Sequence, residues 1–159
     1  KTTMVKLLAE CCDPQERLVI LEDVPELRIS HPHCVYLQTA EDDSSEGRRS
    51  IGLDSLLREA LRMRPDRLIV GECRGQEAFA LVQALHTGHR GSFSTLHANS
   101  AADAINRLEA LLVRAEPTLS NTIVRQLVSG AFDAVVFMER DSDSRRRVSQ
   151  MFLTAEMLC

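Results

Sequence analysis

No apolar run in these 159 residues approaches the roughly 18 that a membrane-spanning helix needs. The first residues, Lys1-Thr2-Thr3-Met4-Val5-Lys6-Leu7-Leu8, have neither the apolar length nor the cleavage site of a secretory leader. The chain also lacks an initiator Met and is expected to start mid-protein. A basic excess is missing: 19 Lys and Arg face 23 Asp and Glu, a net charge of −4. Nucleic-acid binding needs a basic face, so no nucleic-acid partner is expected. A disulfide framework is missing as well, because five irregularly spaced cysteines are an odd number and fit a reducing compartment. His31, His33 and Cys34, or His86 and His89, do not make the paired C-x₂₋₄-C or H-x₃₋₅-H units of structural zinc sites. There is no internal repeat and no low-complexity tract. What remains, at 44% hydrophobic and 26% charged residues, is an ordinary globular composition, long enough for one domain with a real core.

Periodicity supplies the elements. A helix over the first dozen residues ends at Asp13-Pro14. Arg17 to Leu21 reads as a buried strand closed by Glu22-Asp23, and Val35 to Leu37 as a short second strand. Residues 40–50 are the most polar stretch, a loop punctuated by Gly47. Leu53, Leu56, Leu57, Ala60 and Leu61 lie on one helical face, with Asp54 and Arg58 four apart on the other side, and Pro65 stops that helix. Arg67 to Glu72 is a strand. Gln76 to His86 is a helix with Gly88 as its C-terminal cap. A strand over Ser92 to Leu96 delivers His97, and Ser100-Ala-Ala-Asp103 opens a helix in the manner of a capping box. A further helix is expected over Pro117 to Ser129. Asp133 to Met138 and Val148 to Leu153 are two last strands, compatible with an antiparallel hairpin. The alternation predicts an α/β fold with a mainly parallel sheet flanked by helices and a possible antiparallel pair at the C-terminal end.

The chemistry gathers where strands end. Leu68-Ile69-Val70 stops at Gly71-Glu72, and the next parallel strand stops at His97. Ligands of open α/β sheets sit outside the carboxyl ends of the strands, so both tips belong to one edge. Lys1-Thr2 at a helix start also reads as the tail of a phosphate-binding loop, G-x-x-x-x-G-K-[ST], in which the ammonium reaches the β- and γ-phosphates and the hydroxyl holds Mg²⁺.

Three segments taken together, Ile20-Leu21-Glu22-Asp23-Val24-Pro25-Glu26-Leu27, then residues 60–75 (ALRMRPDRLIVGECRG), then residues 87–100 (TGHRGSFSTLHANS), closely resemble the secretion ATPases of type II and type IV secretion and type IV pili. They are similar to that family's Asp box, Walker B and His box, in its order, with wording nearest the branch that drives tight-adherence pilus assembly. The resemblance covers nearly the whole chain. It implies a RecA-like P-loop NTPase core over residues 1–159, incomplete at its N-terminus because the Walker A glycines and a separate N-terminal domain would precede Lys1. It also implies ATP and Mg²⁺ as cofactors, a homo-oligomer in the form of a hexameric ring, a cytoplasmic place at the inner membrane, and an inner-membrane platform protein as partner.

The resemblance carries roles residue by residue. Glu72 matches the Walker B glutamate, a carboxylate that accepts the proton of the attacking water or positions it. Gly71 stands where many P-loop proteins have Asp, which is normal for this family. Glu22 matches the Asp-box acid on Mg²⁺, and His97 the His-box histidine near the γ-phosphate. Lys1 and Thr2 match the end of Walker A, with Thr3 beside them among the nucleotide-binding residues. Thr2, Glu22 and Glu72 form the Mg²⁺ set. Arg48, Arg62 and Arg64 fall where the family places functional arginines, although Glu46-Gly47-Arg48-Arg49-Ser50 has an Arg where relatives more often show Gly. Glu26 is placed outside the site. The expected function is ATP hydrolysis powering a secretion or pilus-assembly machine. The alternatives are a non-catalytic ring-forming module and, on the His and Cys residues alone, a metal-dependent hydrolase.

Overall fold

The structure, a computed structural model, describes residues 1–40 and 50–153. Eleven elements follow one another: α1 (Thr2–Glu10), β1 (Leu18–Glu22), β2 (Cys34–Gln38), α2 (Leu53–Arg62), β3 (Arg67–Val70), α3 (Glu77–His86), β4 (Phe93–Ser94), α4 (Ala101–Ala115), α5 (Asn121–Ala131), β5 (Ala134–Arg140) and β6 (Arg146–Leu153). Strands β2-β1-β3-β4 form one parallel sheet in that order, and β5 and β6 form a separate antiparallel pair. The α/β class, the parallel sheet and the C-terminal pair are those expected from the sequence. The polar stretch over residues 41–49, with Arg48, lies outside the described residues.

Alternation within the strands builds two cores. Val19, Leu21, Leu68 and Val70 face one side and meet α2, α3, α4 and α5 through Leu57, Leu81, Leu112 and Val124. Leu18, Ile20 and Ile69 face the other side and meet α1 through Val5 and Ala9. Burial on both faces is why β1 is apolar without a break until Glu22.

Two elements differ from expectation for local reasons. The helix expected from Pro117 begins at Asn121, because Ser120 is extended and its side chain accepts from the Ile123 N–H. Strand β4 has only two residues rather than five. The two chains nevertheless stay adjacent past the ladder: Thr95 Oγ1 donates to Gly71 O at 2.6 Å and Cys73 N–H donates to Thr95 O at 2.8 Å. The expected caps are present. Ser100 accepts from the Asp103 N–H, while Asp103 reaches back one residue further than a capping box does, to Asn99. Gly88, at φ +110°, lets the His89 N–H return to Ala84 O and closes α3.

One feature of the sheet bears on function. Strand β4 ends the order, so its outer edge is unpaired among the described residues. A groove of about 630 Å³ runs along that edge, and its opposite wall is β5. All seven residues of β5 line it but only Arg146 of β6, so β5 presents its free edge rather than a face. Met4, Leu8, Phe93, Ile105, Val136 and Met138 make the groove mainly apolar.

The core assignment is testable. Leu57, fully buried between α2 and the sheet, should lose about 2–5 kcal/mol of unfolding stability on Leu57→Ala. Leu7→Ala, at a side chain 54% exposed, should stay within about 0.5 kcal/mol. Denaturant titration checks both.

Candidate functional site

The carboxyl ends of β1, β3 and β4 open into one cleft of about 290 Å³. Its walls include Lys1 and Thr2 from the start of α1, Glu22 from the last position of β1, Glu72 just past β3, and Thr95 and His97 just past β4. Of the residues singled out in the sequence, the fold therefore brings five to one place: Lys1, Thr2, Glu22, Glu72 and His97.

Glu22 is the most constrained of them, at 6% exposure. Its Oε1 accepts the N–H groups of Glu26 and Leu27 at 3.0 and 2.9 Å, which satisfies a buried charge and fixes the turn after β1. Its Oε2 takes no hydrogen bond from any described residue. The carboxylate is thus a turn cap through one oxygen and a wall of the cleft at the same time. Gly71 makes this possible. A Cβ there would stand 3.0 Å from Glu22 Cγ and 3.4 Å from Leu21 O. A side chain at position 71 would press on Glu22, a physical reason for Gly in place of Asp.

Glu72 is more open, and its Oε1 lies 3.4 Å from His97 Nε2, an ion pair only when the imidazole is protonated. Lys1 Nζ donates to Leu96 O at 3.2 Å. Burial pushes its ammonium below the ordinary lysine range; the Glu72 carboxylate opposes that shift and the Arg107 guanidinium adds to it. Cys73, between Glu72 and Arg74, is buried, and burial pushes its thiol up to about 12, with the charges of Glu77 and Glu72 adding to it. At neutral pH that thiol is a packed apolar group, not a nucleophile.

Sequence reasoning missed several parts of the site. Glu26 lines the cleft, contrary to the expectation that it lies outside; the turn that caps Glu22 carries it there. Arg74 pairs with Asp23 across the cleft and joins the ends of β3 and β1. Glu77, also 6% exposed, accepts the N–H groups of Arg74 and Gly75 at 2.6 and 2.7 Å and fixes the loop that carries Arg74. The signal for these was the spacing Glu72-x-Arg74-x-x-Glu77, whose meaning depends on a loop that periodicity does not describe.

Three expected residues stand elsewhere. Thr3 does not line the cleft. Arg62 closes α2, paired with Glu59 at 2.8 Å, and Arg64 follows at φ +53°. Both precede β3 and so lie at the opposite edge of the sheet, about 13 Å of strand away by the 3.3 Å rise of its four residues.

The charge of the cleft suits a cation. Four carboxylates line it, Glu22, Asp23, Glu26 and Glu72, against the cations Lys1 and Arg74. Thr2, Glu22 and Glu72 offer hard oxygen donors, and Mg²⁺ is held by one or two carboxylates, a hydroxyl and phosphate oxygens rather than by an all-protein cage. The residues fit that ion. No group of three His, Cys, Asp or Glu among the described residues forms a dense metal site by itself.

Known proteins give the context for this geometry. Residues 1–146 match the family described as type II/IV secretion system protein. The type IV secretion system protein PtlH of Bordetella pertussis is 40% identical over 158 aligned residues, covering 93% of this chain and 45% of the relative. The conjugal transfer protein TrbB of Rhizobium radiobacter is 36% identical over 149, covering 92% and 42%. The crystal structure of the VirB11 ATPase of the Brucella suis type IV secretion system, in complex with sulphate, superposes with a TM-score of 0.85 at 29% identity, over 98% of this chain and 45% of that one. The chain spans under half the length of these relatives. The family match covers nearly the whole chain, including every residue of the cleft, and the chain belongs to the type II/IV secretion system protein family.

Proposed function

We propose that this chain is the catalytic part of a Mg²⁺-dependent ATPase motor for a secretion or pilus-assembly machine. The observation that carries the reading is the meeting, in one cleft, of a Lys and a hydroxyl at a helix start with two carboxylates and a histidine at three strand ends. Lys1 draws in the β- and γ-phosphates, and the start of α1 adds the positive end of its dipole. Thr2, Glu22 and Glu72 would hold Mg²⁺, directly or through water. That ion, when bound with the nucleotide, neutralises charge on the phosphate oxygens. Glu72 orients the attacking water and takes its proton. His97, 3.4 Å from Glu72, offers a hydrogen bond to the γ-phosphate and falls back on the carboxylate when that phosphate leaves.

The domain is completed by residues upstream of Lys1, where the phosphate-cradling glycines would lie in a RecA-like core. The apolar groove supports this. It lies between two strand edges that are unpaired among the described residues, and a strand laid along it would join the two sheets. The functional unit is a ring, hexameric in this reading. Arg62 and Arg64 support the ring: they stand away from their own cleft, and in this reading they would serve a neighbour's; Arg48, outside the described residues, remains a proposed transition-state arginine. The ring would sit in the cytoplasm against an inner-membrane platform protein; among the described residues no helix is long and apolar enough to cross a membrane. The wording of the three motifs favours the tight-adherence pilus branch, and the relatives named above come from type IV secretion and conjugation.

The 159-residue chain alone should hydrolyse ATP far more slowly than the same chain extended upstream to the length of its relatives; equal turnover would remove the argument for missing phosphate-binding backbone. Activity of the extended chain should rise with protein concentration as rings assemble, and sedimentation finding a fully active monomer would reject the ring. Glu72→Gln in the extended chain should lower kcat by about 10²–10⁴, with a much smaller change in ATP affinity. Glu109→Gln, on the surface of α4 beside Arg125, serves as the control. A Glu72→Gln enzyme turning over within about threefold of the parent would overturn the assignment and send the search for the base to Glu22.

A further inference from the structure

On the hairpin, Arg140 and Arg146 stand directly opposite one another in the cross-strand register. Like charges in that arrangement repel and weaken the pair. The adjacent cross-strand pair is complementary, with Arg147 bound to Glu139 at 2.8 Å. Neither Arg140 nor Arg146 has an acidic partner among the described residues. Asp141, the acid that opens the turn, accepts the N–H groups of Asp143 and Arg145 through Oδ1 and pairs with neither arginine. Both arginines line the apolar groove, and the groove reaches Lys1.

Lys1, Thr2, Thr95 and His97 line both cavities, whereas Glu72 lines only the acidic cleft and Arg140 and Arg146 only the groove. A ligand lying across Lys1 therefore has carboxylates at one end and guanidiniums at the other. Two repelling arginines without a counter-ion, at the mouth of a groove beside a phosphate-type lysine, make an anion site.

We propose that Arg140 and Arg146 bind the α-phosphate end of the nucleotide, opposite to the end served by Glu72. This rests on the nucleotide reading above. The strand expected upstream of Lys1 fills the apolar length of the groove and leaves its mouth, where Lys1 emerges, to the phosphate chain.

The test uses the upstream-extended chain and measures binding of ATP, ADP and AMP to Arg140→Gln/Arg146→Gln, Arg140→Lys/Arg146→Lys and Lys1→Ala. Removing two like charges that repel on an exposed hairpin leaves the fold intact, and the Lys pair reports on charge if the Gln pair unfolds. The Gln pair should weaken all three nucleotides by about tenfold each. The Lys pair should keep most of the affinity. Lys1→Ala should weaken ATP and ADP far more than AMP. ATP weakened by the Gln pair with AMP unchanged would put the arginines at the γ end and overturn the assignment. Unchanged binding of all three by the Gln pair, with ATP lost in Lys1→Ala, would overturn it and leave the nucleotide reading standing. ATP binding unaffected by Lys1→Ala would bring down the nucleotide reading and this one with it.

Discussion

A carboxylate buried at the end of an apolar strand is the constraint on which the site depends. Glu22 follows four fully buried residues of the central strand and cannot move out into water without breaking the sheet. Its charge is tolerated because two backbone N–H groups of the following turn donate to one oxygen. That turn in consequence has one conformation, which puts Asp23 and Glu26 on the cleft wall and Asp23 within reach of Arg74. Gly71 is the complementary requirement, since only a residue without Cβ lets the end of β3 pass Glu22 this closely. Glu72 then emerges at a fixed height beside Glu22, and the Thr95 hydroxyl on Gly71 O ties β4, and so His97, to the same edge. Removing the Glu22 carboxylate would leave two backbone donors unpaired and loosen three strand ends together.

The class of fold was legible because its signals are local. Unbroken apolar runs mark strands buried on both faces, and the helix between Leu53 and Leu61 declares its buried stripe at the right period. The strand tips were legible for the same reason: an apolar run that ends in a carboxylate or a histidine must put that residue at an edge. What the period could not convey was the work of side chains that bind backbone. Nothing in the run Arg74-Gly75-Gln76-Glu77 says that Glu77 folds back to hold the N–H groups of Arg74 and Gly75, or that Glu22 caps the turn carrying Glu26. Likewise Ser120 rather than Pro117 starts α5, a choice made by one capping hydroxyl. Arg62 and Arg64 show the remaining gap, since a motif places residues in order along the chain but not on an edge of the sheet. Only the parallel crossover, which returns the chain to the start of β3, puts them away from the cleft.

Electrostatics decides how much of the machinery this chain can supply by itself. The cleft carries more carboxylates than cations, and Arg74 is already spent on Asp23. A triphosphate brought into that field meets repulsion from Glu22, Glu26 and Glu72, relieved only by Lys1 and by the dipole of α1. Opposite charges a few ångströms apart in a partly dry site are worth several kcal/mol at an effective dielectric of about 20, and like charges cost the same. In the proposed reading, Mg²⁺ held by Thr2, Glu22 and Glu72 would offset part of that repulsion. Further positive charge must reach the phosphate chain from outside the acidic wall. Among the described residues, the arginines that line the groove adjoining Lys1 and have no acidic partner are Arg140 and Arg146. In the proposed assignment acids stand at the end where the bond would break and arginines at the end that would stay bound, an arrangement that would let the site release the γ-phosphate and keep the diphosphate.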